Sequence, residues 1–232
     1  MGISVTVRLG SMTWPEFAAA DRPILLVPLG SCEQHGPHLP FDTDTRIASA
    51  VTEAVADGLP GAVVAPAIGI GASGEHAGFA GTLSIGCEAL AVVLRELVRS
   101  ADAFAGVIVV NGHGGNSVTL AEAVIEATTE GRRVLGVNCH VHGGDPHAGF
   151  AETSMLLHLC PEVVRTDRIE VGVTTPWAEL RERAVSEGFA AVSANGVLGD
   201  PTRATAEDGR RLFARLVADV QDMVAEATAG WR

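Results

Sequence analysis

Four short apolar runs with almost no polar alternation constrain this chain more than any other feature: ILLVPL (24–29), AVVAPAI (62–68), GVIVV (106–110) and RRVLGVN (132–138). A strand with one face in water alternates apolar and polar residues, whereas a run without alternation needs cover on both faces. Helical spacing fills the gaps, over about 45–56, 87–104 and 117–129. Further helical stretches follow at 152–159, stopping before Pro161, and at 204–228. Strands separated by amphipathic helices predict an α/β fold, a three-layer α/β/α sandwich around a mainly parallel central sheet. No linker, repeat or low-complexity segment interrupts the pattern, so one domain over 1–232 is expected. Folds of this class bind ligands beyond the carboxyl ends of their strands.

Composition narrows the partners. The 16 basic and 28 acidic residues give a net charge of −12, which argues against nucleic acid or an anionic membrane surface. No apolar run reaches the ~20 residues of a membrane helix. The amino terminus lacks a basic stretch followed by an apolar one, so a cytoplasmic protein is expected. Cys32, Cys87, Cys139 and Cys160 are scattered without a CxxC pair and read as free thiols in a reducing compartment.

Two polar clusters begin where a strand ends. After the first run comes GSCEQHGPHLPFDTDT, with Glu33, His35, His38, Asp42 and Asp44. Glu33 and His35 are two apart, so in extended chain their side chains face one way. Pro37 and Pro40 stiffen the loop that returns a carboxylate, Asp42 or Asp44, toward them. Imidazole and carboxylate together suit zinc, manganese or iron, although a surface loop accounts for E-x-H equally well. After the third run comes NGHGGN (111–116), whose strong metal ligand is His113; an anion-binding glycine loop is the alternative there.

A third cluster, HGGDPHAGFAETS (142–154), places His147 and Glu152 at a helix start. Glu152 is either a ligand or an acid favoured by the helix dipole. His158 lies among leucines and reads as packing, as does Cys32. The glycine-rich loop GASGEHAGFAGTLSIG (71–86) carries Glu75 and His76 and either lines a pocket or lies on the surface. Ser31 and Ser154 lack a G-x-S-x-G setting, which argues against a serine hydrolase.

Four segments, GSCEQHGPHLPFDTDT, GEHAGFAGTLS, NGHGGN and HAGFAETS, resemble in order the creatininase family of metal-dependent amidohydrolases. The resemblance implies a creatininase-like fold, two divalent metal ions per subunit (Fe2+, Zn2+ or Mn2+), hydrolysis of an amide bond and a ring-like homo-oligomer. Carried over by motif position, Glu33 and His113 hold one ion, His35 and a second glutamate the other, and Asp44 bridges both. His147 matches a histidine that moves protons near the substrate. The creatinine-hydrolysing member has a glutamate where this chain has Gly115; Glu152 is the expected substitute, and creatinine is not the expected substrate.

Within the family, FDTDTRIASAV, GDPHAGFAETSMLLHLCPEVVRTDR and GVLGDPTRATAEDGRR resemble the peptidase branch of mycofactocin biosynthesis. That branch implies a modified ribosomal precursor peptide as substrate and release of its C-terminal Val-Tyr-derived piece. Glu75, His76 and Trp177 are candidate substrate-binding residues, Trp177 together with Pro176 in the stretch 170–200. Two other readings compete. One is a family member acting on a cyclic amide or a formylaminopyrimidine nucleotide, whose phosphate would need cations such as Arg46, Arg181 and Arg183. The other is a non-catalytic protein that binds metal only to fold.

Overall fold

The structure is a computed structural model and describes residues 6–231. Four strands, β1 (Ile24–Leu29), β2 (Ala62–Val64), β3 (Gly106–Asn111) and β4 (Val134–Asn138), form one parallel sheet in the order β2-β1-β3-β4. Among the described residues eight α-helices accompany it: α1 (Trp14–Ala18), α2 (Thr43–Asp57), α3 (Gly86–Ser100), α4 (Ser117–Thr129), α5 (Phe150–Leu159), α6 (Trp177–Glu187), α7 (Phe189–Val192) and α8 (Ala206–Thr228).

Side chains of β1 alternate between two separate cores, as a pleated strand requires. Ile24 and Leu26 join Ile108 and Val110 on one face, under Val51 of α2, Leu156 of α5 and Val220 of α8. Leu25, Val27 and Leu29 join Val107 and Val109 on the other, under Leu90 and Leu94 of α3 and Leu120 of α4. Both faces are therefore covered, which is why the sequence runs show no polar alternation.

The second run is shorter than its sequence suggests. β2 ends at Val64: Ala65 N–H still donates to the Leu26 carbonyl at 2.8 Å, but Pro28 of β1 has no N–H to donate back, and the next contact is Ile68 N–H to the Pro28 carbonyl at 2.9 Å. Helices α1, α6 and α7 lie outside the helical stretches expected from spacing. Short length hides α1 and α7, and α6 buries only Ala184, so it carries little apolar periodicity. The four cysteines are unpaired. Among the described residues, no helix is long and apolar enough to cross a membrane.

The sheet register brings the ends of β1 and β3 side by side, with Leu29 opposite Asn111 and Asn111 opposite Asn138. The two polar clusters thus leave the sheet as neighbours.

Candidate metal centre

Both asparagines of NGHGGN brace this rim. Asn111 Nδ2 donates to the His113 carbonyl and to Asn138 Oδ1, each at 2.8 Å. Asn116 Nδ2 donates to the Gly30 carbonyl at 2.9 Å, and its Oδ1 accepts Ala72 N–H at 2.8 Å. The motif therefore ties together the ends of β1, β3 and β4 and the 71–86 loop, with His113 held between them.

Asp44 lies in the first turn of α2, where the helix is pressed against the rim, and is 2% exposed. Its two oxygens diverge. Oδ1 lies 3.0 Å from His35 Nε2, and Oδ2 lies 3.2 Å from His113 Nδ1 and accepts Ser31 Oγ–H at 2.7 Å. Around this carboxylate two ligand triads form, Glu33–Asp44–His113 and His35–Asp44–Glu152, each with ligand atoms close enough to share one ion. His113 Nε2 is 3.1 Å from Glu33 Oε2, and His35 Nε2 is 4.0 Å from Glu152 Oε2. Two more triads are possible on distance alone, Glu33–His35–His147 and Glu33–Glu75–His76.

The donor set fits cations. Glu33 is 1% exposed, yet neither of its carboxylate oxygens has a hydrogen-bond partner, although imidazole nitrogens lie nearby. A buried carboxylate without hydrogen bonds costs several kcal/mol on the order expected for an isolated ion, unless a positive charge sits against it.

Electrostatics express the same crowding. Burial by itself would lower the His35 and His113 imidazoles, but Asp44 and Glu33 override it, raising His35 to about 10 and His113 well above the ordinary range. Burial would raise Asp44, and the His35 and His113 rings instead hold it well below the usual carboxylate range. Burial pushes Glu152 up to about 7 and raises Glu75. His147 is held well below its ordinary value, by burial first and then by His35 and His76.

The remaining predicted residues fall into layers. His147 reaches the site with Nδ1 3.7 Å from Glu33 Oε1, on a segment paired to Leu198. Glu152 both faces the site and accepts Ala148 N–H at 2.6 Å, so the ligand and helix-start readings coexist. That contact pins Ala148 at φ 52, a left-handed conformation unusual for a residue with a Cβ. His76 lies 3.5 Å from Glu33 Oε1, and Glu75 Oε1 lies 3.5 Å from His113 Nε2.

Gly115 has no room for a side chain: a Cβ there would sit 2.4 Å from His113 Nε2 and 2.5 Å from Glu75 Oε1. Glu75 occupies the ground beside Gly115 on the His113 side, while Glu152 approaches from the His35 side. His38 stands behind the ligands, with Nε2 2.8 Å from Thr153 Oγ1. Asp42 turns outward to Arg46 at 2.7 Å. Trp177 is one aromatic layer away, 6.0 Å from Phe189, whose ring stacks on His76 at 3.9 Å. It lines a separate cavity of about 690 Å³ with Phe150 and Arg203. Packing explains His158, whose ring is 6.1 Å from Phe213.

Sequence reading weighed Ser31 only as a nucleophile and passed over Gln34 and Phe189; Ser31 holds Asp44, Gln34 contacts His76 and His147, and Phe189 covers those two rings. Gln34 and Ser31 stand inside GSCEQHG, where proximity to the ligands was the available signal; Phe189 offered none.

Residues 10–224 match the family model for creatininase, creatinine amidohydrolase. The chain belongs to the creatininase family. Its creatininase relatives of known structure include a mutant creatininase of Zn–Zn type, TM-score 0.83 at 26% identity, covering 96% of this chain and 98% of the other. A manganese creatininase superposes with TM-score 0.81 at 26% identity and the same coverage. In sequence the chain is 52% identical to the mycofactocin precursor peptide peptidase of Mycobacterium ulcerans (strain Agy99), over 99% of this chain and 92% of that protein. The parallel α/β sheet expected from the apolar runs, and the creatininase-like fold that the motif resemblance implied, are the fold observed.

Proposed function

We propose that this protein is a dinuclear metal-dependent peptidase that cleaves a modified ribosomal precursor peptide in mycofactocin maturation, releasing the C-terminal Val-Tyr-derived piece. One observation carries the reading. Asp44 offers one oxygen to each of two triads, and the triads together hold the five expected ligands, Glu33, His35, Asp44, His113 and Glu152. The 52% identity to a mycofactocin precursor peptide peptidase supports the choice of substrate.

Two divalent ions held there supply Lewis acidity for the scissile carbonyl and make water acidic enough to attack near neutral pH. The donor set, carboxylate with imidazole, accepts Zn2+, Mn2+ or Fe2+. His147 is the proton carrier: its Nδ1 faces the cluster, placed to take a proton from the attacking water and give it to the departing amine. Phe189 over His76 and His147 keeps bulk water from that side.

A formylaminopyrimidine nucleotide is the weaker substrate, because it needs cations for its phosphate. Arg46 is paired with Asp42 and Arg183 with Glu187. Exposed Val92, Val118 and Ile125 on α3 and α4 accord with a homo-oligomer, which light scattering reads directly.

The test is mass spectrometry of zinc-, manganese- or iron-loaded protein with precursor peptide carrying the cyclised Val-Tyr end, beside unmodified precursor and creatinine. Release of the C-terminal piece from the modified peptide alone is expected. Hydrolysis of creatinine, or of neither peptide by metal-loaded protein, overturns the substrate assignment.

A further inference from the structure

Gln34 lies between the two ligands Glu33 and His35 in sequence, but its side chain turns the opposite way and is buried at 6% exposure. Its amide orientation is fixed, because Oε1 accepts Gly36 N–H at 2.8 Å. Nε2 is therefore the donor end, with three polar atoms in reach: the Gly196 carbonyl at 3.1 Å, His76 Nδ1 at 3.0 Å and His147 Nε2 at 3.1 Å. An amide nitrogen carries two hydrogens.

The third contact is resolved by the backbone of the same residue. The Gln34 carbonyl, an acceptor only, lies 2.8 Å from His147 Nε2. That short contact requires a proton on His147 Nε2, so the two amide hydrogens go to Gly196 and to His76 Nδ1. Every donor and acceptor of Gln34 then has a partner. Gly196 shapes the fit: it holds φ +76, and a Cβ there would lie 1.9 Å from Gln34 Oε1.

We infer that Gln34 is a positioning residue that sets the tautomers of both histidines facing the cluster. His76 accepts at Nδ1 and so keeps its proton on Nε2, the atom 3.5 Å from Glu33 Oε1. A protonated nitrogen cannot ligate a metal, so the Glu33–Glu75–His76 triad is closed to a cation while the two triads on Asp44 remain open. His147 donates from Nε2 and so presents a bare Nδ1 toward Glu33. One glutamine thereby gives the site one N–H and one lone pair on the same side. The catalytic consequence rests on the peptidase reading; the tautomers do not.

Long-range 1H–15N spectra of zinc-loaded protein with 15N-labelled histidine test this, with His76 and His147 assigned from His76→Asn and His147→Asn. Both rings are expected to carry the proton on Nε2. In Gln34→Glu, an isosteric carboxylate that can only accept, His76 is expected to move its proton to Nδ1. Turnover is expected to fall about 10- to 100-fold, the usual cost of losing a group that orients metal-site residues. KM and zinc content at the Asp44 triads stay near wild type. An Nδ1–H form of either histidine in the wild-type protein overturns the inference, as does an unchanged His76 tautomer in Gln34→Glu. Should the wild type cleave no peptide, the function fails while the spectra still decide the tautomers.

Discussion

Two regions of this molecule use the same ionisable residues to opposite ends. On the outer face of α3 and α4, Arg95 pairs with Glu126 at 2.8 Å, and Arg99 reaches Glu96, Glu126 and Glu130. Each of these three acids meets a matching cation at the surface. Across the sheet rim, Glu33, Asp44 and Glu152 converge, and the ion pairs they make are with imidazoles. Paired charges in water add little stability. Buried carboxylates with an incomplete set of partners are costly, and what compensates is a ligand. The contrast teaches that the unmatched cluster, not the better-paired one, is where a bound cation has a cost to offset.

The strongest way to break that contrast is Asp44→Ala. With Asp44 gone both triads lose a member, so metal content by elemental analysis and turnover should fall below detection together. Full occupancy with full activity in that variant would remove the two-triad scheme. Next in size is His147→Ala, expected to lower turnover about 100- to 10,000-fold, as loss of a general acid-base group does. Its metal content should stay intact, and a matching loss of metal would make His147 a ligand instead.

A smaller effect follows from stripping the ions with chelator. Stability should drop by about 3 to 4 kcal/mol when free zinc had exceeded its dissociation constant a few hundredfold, and return on reloading. Denaturant melts with and without EDTA read this, and little change in 0.5 M salt would separate it from the screened surface pairs. The smallest change belongs to the other region. Arg95→Ala should cost less than about 1 kcal/mol and leave turnover untouched; a large loss of activity there would dissolve the distinction.

Much of the fold was legible because the apolar runs state their own environment. Ile24 and Leu26 serve one core and Leu25 and Val27 the other, so no position in β1 could be polar. The limits of legibility are equally physical. Pro28 ends the β1–β2 ladder early through a missing N–H, and α6 buries so little that its periodicity is faint. At the site, spacing rightly turned Glu33 and His35 the same way, but it could not choose between Asp42 and Asp44. The helix start decides: Asp42 precedes α2 and faces Arg46, whereas Asp44 lies inside its first turn against the rim.

By itself the sequence determined a sheet covered on both faces, clusters placed at strand ends, and residue types suited to divalent ions. Those follow from local rules of burial and backbone conformation. Tertiary structure alone decided which of the many acids and histidines meet, since the register that sets Leu29 beside Asn111 joins segments far apart in the chain. It also decided what Gln34 does. A hydrogen-bond donor takes its meaning from the acceptors around it, and His76, His147 and Gly196 reach Gln34 only when the chain has folded.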